Sequence, residues 1–194
     1  MKKAVFLDRD GTINVDSGYV DNADDFKLYR FAAKAIRELN ALDFIVIVVT
    51  NQSGIARGYY TEKDLVQIHD KMIKQLAEKD AKIDKIYYSP YHAEGDVKPF
   101  NRFSYERKPG LGMFYKALAD FKIDVKNSYM IGDKQSDIEF GKNANLVTIL
   151  VRSGNGDKEF LENRKNWAKK PDFITDNLLS AVNLINKLEK DKIK

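Results

Sequence analysis

The sequence predicts an α/β protein, a Rossmann-like three-layer α/β/α sandwich on a mainly parallel sheet with no large cap domain. Three observations predict it. Short apolar runs alternate with helical patterns along the whole chain, as in a parallel sheet covered on both faces. The run over residues 44–49 is continuously apolar and largely β-branched, as a strand buried on both sides must be. Polar residues capable of chemistry stand where the runs stop, at Asp8, Thr50 and Asp133, and such sheets bind ligands at the carboxyl ends of their strands.

The elements follow in order. Residues 4–7 read as the first strand, ending at Asp8. Residues 31–42 have helical spacing, with Ala32, Ala35, Ile36 and Leu39 on one face. After the strand at 44–49, Thr61 and Asp64 form a helix start that Leu65, Ile68, Met72, Ile73 and Leu76 continue. His69 lies on this helix beside apolar positions and reads as a surface residue. Residues 85–88 form the third strand, and 111–121 a helix entered through Pro109 and Gly110. A strand at 128–131 leads into a helix at 135–144, and 147–151 is the fifth strand. A short strand at 173–174 precedes a last helix at 178–188. Residues 89–109 have no clear periodicity, and loops of that length tend to be functional. The segment 160–170, with Trp167, shows no catalytic pattern.

Composition narrows the function classes. A chain of 194 residues suits one domain over 1–194. It contains no Cys, which excludes disulfides and thiolate metal sites and fits the cytoplasm. The first apolar run stops after four residues, too short for a signal peptide, and no run approaches the roughly 20 apolar residues of a membrane span. Net charge is +4, but the lysines are dispersed, and residues 187–194 read as a solvated helix end. With no basic stripe interleaved with aromatics, neither a nucleic-acid nor a membrane partner is expected, and a monomer is the default.

Four motifs carry the chemistry. Asp8 and Asp10, in the run DRDGT, can share one centre, one carboxylate attacking while the other handles a proton. Gly11 permits a tight turn there. Thr50 offers a hydroxyl at a strand end, and Asn51, Gln52 and Ser53 supply further donors. Arg107 and Lys108 place cations before Pro109, where a phosphoryl group would need its charge offset. Asp133 can complete an oxygen-only Mg²⁺ site, with Asp137 as a supporting acceptor or a simple helix-start carboxylate.

Together these motifs resemble the haloacid dehalogenase (HAD) superfamily of phosphatases. The resemblance implies a two-step phosphoryl transfer, with Asp8 as nucleophile and Asp10 as acid and then base. It also implies Mg²⁺ held by Asp8, Asp133 and the backbone carbonyl of Asp10, and phosphoryl oxygens held by Thr50 and Lys108. The wording at 8–20 (DRDGTINVDSGYV), 48–61 (VVTNQSGIARGYYT), 87–95, 106–113 and 129–138 is similar to heptose bisphosphate phosphatases of the histidinol-phosphatase-like branch. That implies a sugar-phosphate substrate, hydrolysis of its 7-phosphate and a place in activated-heptose or lipopolysaccharide biosynthesis. Asp16, Ser17, Gly18, Tyr19, Asn51, Gln52, Ser53, Arg107 and Lys134 would contact the substrate. Histidinol phosphate or another phosphomonoester is the alternative within the branch, and a catalytically silent sugar-phosphate-binding module the alternative outside it. Members of the branch commonly hold a structural zinc before the RKP motif. The aligned residues here are Ser89, Tyr91, Ser104 and Glu106, so zinc is expected to be absent. Packing through Tyr87, Tyr88, Tyr91, Phe100, Phe103 and Tyr105 would then hold the loop.

Overall fold

A computed structural model describes residues 1–163 and 165–192, so Arg164, Ile193 and Lys194, and the expectations that touch them, lie outside the described residues. Six strands form one fully parallel sheet: β1 (Ala4–Leu7), β2 (Ile45–Asn51), β3 (Lys85–Ser89), β4 (Tyr129–Gly132), β5 (Val147–Val151) and β6 (Phe173–Thr175). Their order is β3-β2-β1-β4-β5-β6. The chain winds outward from β1 in one direction and from β4 in the other. A crevice therefore opens between the carboxyl ends of β1 and β4, the place where such sheets bind ligands. Leu7 pairs in register with Val48 and with Ile131, so Asp8, Thr50 and Asp133 emerge side by side.

The helices are α1 (Ala32–Ala41), α2 (Glu62–Ala77), α3 (Gly112–Asp120), α4 (Gln135–Asn143), the single turn α5 (Gly156–Lys158) and α6 (Leu178–Asp191). The strand side chains alternate between two cores. Val5, Leu7, Val46, Val48 and Ile131 pack under α1, α2 and α6, whereas Ala4, Phe6, Ile47, Val49 and Met130 pack under α3 and α4. Both faces of the sheet are thus dry, which explains runs that are apolar throughout instead of alternating.

Local signals set the helix starts. Thr61 Oγ1 accepts from the Asp64 N–H at 3.2 Å and Asp64 Oδ2 accepts from the Thr61 N–H at 2.9 Å, a reciprocal cap. At α6, Asn177 Oδ1 accepts from the Ser180 N–H. The expected elements form within one to three residues of the expected bounds. The short α5 and the wider turn after it, Glu159–Asn163, were not expected. One expectation is corrected: His69 is buried, not on the surface, because the flank of α2 that carries it lies against the chain following β1.

Candidate active site

Asp8 leaves β1 with its N–H donating to the Ile131 carbonyl of β4 at 2.9 Å, which fixes it over the crevice. Its Oδ1 accepts from Lys108 Nζ at 2.7 Å. Lys108 is buried, donates also to the Val49 carbonyl at 2.8 Å, and lies 2.6 Å from Asp137 Oδ1. Lys108 thus donates two hydrogen bonds and ion-pairs with Asp137, which holds its positive charge beside the nucleophile. Asn51 holds this lysine in place: its Oδ1 accepts from the Lys108 N–H at 2.9 Å and its Nδ2 donates to the Lys108 carbonyl at 3.1 Å.

Asp133 follows β4. One of its oxygens accepts from the Asn155 N–H at 2.8 Å, and the other is buried with no hydrogen-bond partner among the described residues. Carboxylate oxygens of Asp8, Asp133 and Asp137 lie within 4.8 Å of one another. Burial pushes Asp8 up to about 6, against the pull of Lys108. Burial, then the Asp8 charge, pushes Asp133 well above the usual carboxylate range. Buried carboxylates that raise one another in this way, with one oxygen unpartnered, form a donor set that suits a small hard cation. Asp137 has Lys108 beside one oxygen and the Lys134 N–H on the other, so it braces those lysines. The side chain of Asp10 lies outside this cluster.

Two glycines make the approach possible. Gly11 has φ +85°, and a Cβ there would fall 2.2 Å from Asp133 Oδ2. Gly154 has φ +61°, and its Cβ would lie 2.4 Å from the Gly11 Cα and 2.5 Å from the same oxygen.

The Asp10 carboxylate is clamped. Oδ1 accepts from Arg9 Nε at 3.1 Å, Arg9 Nη2 at 2.9 Å and Asn14 Nδ2 at 2.9 Å. Oδ2 accepts from Arg9 Nη2 at 2.8 Å and Gln52 Nε2 at 2.9 Å. Burial opposes ionisation, but the Arg9 guanidinium and the amide donors hold Asp10 below the usual range. Gln52 is buried and fully engaged. Besides Asp10, its Nε2 donates to Thr50 Oγ1 at 2.7 Å, and its Oε1 accepts from the Tyr60 hydroxyl at 2.6 Å.

A cavity of about 200 Å³ opens above these groups. Asp8, Asp10, Thr50 and Lys108 line it, together with Gly18, Tyr19, Asn51, Gln52, Ser53, Arg107 and Lys134. Arg107 has a buried Nη1 with no hydrogen-bond partner among the described residues, and burial, then Arg57, lowers its pKa. Two expected contacts lie elsewhere. Ser17 is exposed and does not line the cavity. Asp16 sits behind the lining, accepting from Lys134 Nζ at 2.9 Å and Asn155 Nδ2 at 2.7 Å.

Sequence reading missed Arg9, Tyr60, Ser136, Ser153, Asn155 and the buried His69. Arg9 was legible as the middle residue of DRD. Asn155 and Ser153 were not, because they reach the site across sequence separations of 22 and 142, Ser153 Oγ donating to the Gly11 carbonyl at 2.8 Å.

Zinc does not fit the 89–109 loop: Ser89, Tyr91, Ser104 and Glu106 stand at the aligned positions, and one His cannot close a tetrahedral site. The chain ties the loop down by other means. The Arg102 guanidinium lies 4.2 Å from the Tyr91 ring centre, and Tyr91 packs against Phe100 at 6.0 Å. The Val97 and Asp96 N–H groups both donate to the Ala56 carbonyl, and Arg57 Nη2 faces His92 Nε2 at 3.3 Å. Tyr105 stacks on Tyr115. Phe103 does not contribute, being 83% exposed, because nothing in the loop folds over it.

Comparison with known proteins places this geometry. A family profile described as HAD-hydrolase-like matches residues 105–181. The D-glycero-β-D-manno-heptose-1,7-bisphosphate 7-phosphatase of Haemophilus influenzae is 39% identical, covering 98% of this chain and 100% of the relative. Its counterpart in Escherichia coli K12 is 44% identical over 84% of this chain and 86% of its own. The crystal structure of D,D-heptose 1,7-bisphosphate phosphatase from B. bronchiseptica, complexed with magnesium and phosphate, superposes with a TM-score of 0.83 at 28% identity, covering 96% of this chain and 99% of that one.

Proposed function

This chain belongs to the heptose bisphosphate phosphatase family of HAD-like hydrolases, and we propose that it removes the 7-phosphate of D-glycero-β-D-manno-heptose 1,7-bisphosphate. The observation that carries the reading is the pair at the crevice: a buried Asp8 held by Lys108, with a second carboxylate, Asp10, oriented beside it by five donor contacts.

In the first step an Asp8 oxygen attacks phosphorus. The bond to the sugar oxygen breaks, and that oxygen takes a proton from Asp10. Arg9, Asn14 and Gln52 favour ionised Asp10 in the free protein, and a phosphoryl dianion arriving beside it raises its proton affinity for this task. In the second step water attacks the aspartyl phosphate, Asp10 takes the water's proton, and inorganic phosphate leaves with Asp8 regenerated. Thr50 can donate its hydroxyl hydrogen to a phosphoryl oxygen, since its lone pair already accepts from Gln52. Lys108 offsets the charge on the nucleophile and the transferred group. Asp8, Asp133 and the Asp10 carbonyl would hold Mg²⁺. When bound, the ion draws charge from the phosphoryl oxygens and relieves the repulsion among the carboxylates.

Above the reacting atoms, Arg107, Lys134, Tyr19 and Ser53 would meet the sugar and its 1-phosphate, Arg107 through the Nη1 that has no partner among the described residues. Asn51 and Gln52 are better read as braces for Lys108 and Asp10 than as substrate contacts. The proposal extends to one domain acting as a monomer in the cytoplasm, without nucleic-acid or membrane partners. Among the described residues no helix is long and apolar enough to cross a membrane.

The test is phosphate release from both anomers of the heptose bisphosphate and from histidinol phosphate, with Mg²⁺ present. We expect the highest kcat/KM on the β-anomer and none above background in Asp8→Asn. A preference for histidinol phosphate would overturn the substrate, and an active Asp8→Asn the nucleophile.

A further inference from the structure

We propose that His69 is a positioning residue for Asp10, acting through Arg9. The inference rests on the reading of Asp10 as the group that protonates the leaving oxygen.

Arg9 is only 1% exposed, and three of its hydrogen-bond contacts go to Asp10. A guanidinium holds a carboxylate in a fixed plane only if its own far edge is fixed. That edge is Nη1, which faces His69 Nε2 at 3.3 Å. An arginine offers donors only, so Nε2 must accept, and the ring must carry its hydrogen on Nδ1. Burial, reinforced by Arg9, keeps the imidazole in this neutral form.

His69 is itself held. It lies on α2, whose start is capped by Thr61 and Asp64, between the buried Leu65 and Met72, and its ring meets Tyr88 edge-on at 6.1 Å. The sequence His69–Arg9–Asp10 therefore runs from a rigid helix to the acid. Gln52, anchored by Tyr60, holds the other Asp10 oxygen. An apolar side chain at 69 would leave Arg9 Nη1 without this acceptor, and the guanidinium could turn away, taking the Asp10 plane with it. Misplacing Asp10 slows the first step only where the leaving group needs a proton, and its later work as base follows departure of the leaving group and so does not enter kcat/KM.

The experiment compares kcat/KM on two esters, the heptose bisphosphate and p-nitrophenyl phosphate, whose phenolate departs without protonation. In His69→Met we expect a loss of roughly 10- to 100-fold on the sugar ester and under about 3-fold on the aryl ester. His69→Gln, which restores an acceptor facing Nη1, should recover the sugar-ester rate to within about 3-fold. His69→Asn, which ends short of Nη1, should show the same selective loss as His69→Met and serves if that variant does not fold. Equal losses on the two esters, no loss, or a His69→Gln variant as impaired as His69→Met would overturn the assignment while leaving the phosphatase reading intact. A wild-type protein inactive on both esters would overturn that reading, and this inference with it.

Discussion

Acidification should unfold this protein in part through His69. Its pKa is pushed down to about 3, chiefly by burial and then by the Arg9 charge, whereas in the unfolded chain it returns to about 6.5. Between these values the unfolded chain binds a proton that the folded protein excludes. The stabilisation is therefore fully present above about pH 6.5 and is lost as the pH falls toward 3. Over the whole interval it amounts to about 5 kcal/mol, a large part of the roughly 5–15 kcal/mol that stabilises a typical domain. By about pH 5 some 2 kcal/mol is gone, about 4–8 °C in Tm for a chain of this size. Carboxylates also titrate in this range, so the measurement is a difference. Urea unfolding of the wild type and His69→Gln is followed by fluorescence of the single Trp, buried Trp167, in EDTA at about pH 8 and about pH 5. The wild type should lose about 2 kcal/mol more than the variant between the two conditions. A difference between the proteins that is unchanged with pH would refute the placement of a neutral imidazole against Arg9.

Three further outcomes are expected. Gly154→Ala should cost about 1–3 kcal/mol and weaken Mg²⁺ binding measured by calorimetry, since its Cβ meets Gly11 and Asp133 Oδ2 at a positive φ. Asn155→Ala removes the 2.7 Å brace on Asp16, so steady-state kinetics should show KM for the sugar substrate rising about 3- to 10-fold with a smaller change in kcat. Glu189→Ala removes the acceptor of the Tyr129 hydroxyl and the partner of Lys3 and Lys192. Thermal unfolding should show a loss of about 1–3 kcal/mol with kcat unchanged, because this cluster lies at the opposite end of the strands from Asp8.

The sequence alone determined the layered fold and the line of the catalytic candidates. Strands buried on both faces are apolar throughout, so runs such as residues 44–49 announce a parallel sheet. In such a sheet, the residue that ends a strand belongs to the crevice. That rule placed Asp8, Thr50 and Asp133 before any coordinates. Only the tertiary structure decided what each polar group does. Periodicity put His69 on the flank of α2 but could not say that Arg9, 60 positions earlier, would cover it. Asn51 and Gln52 look like substrate donors in sequence, yet their amides turn to Lys108 and Asp10. Asn155 joins Asp16 across 139 positions. The physical reason is the range of the forces involved. Backbone pairing and apolar burial repeat along the chain and leave a local pattern. Hydrogen bonds and ion pairs at a site join segments that meet only after the sheet has formed.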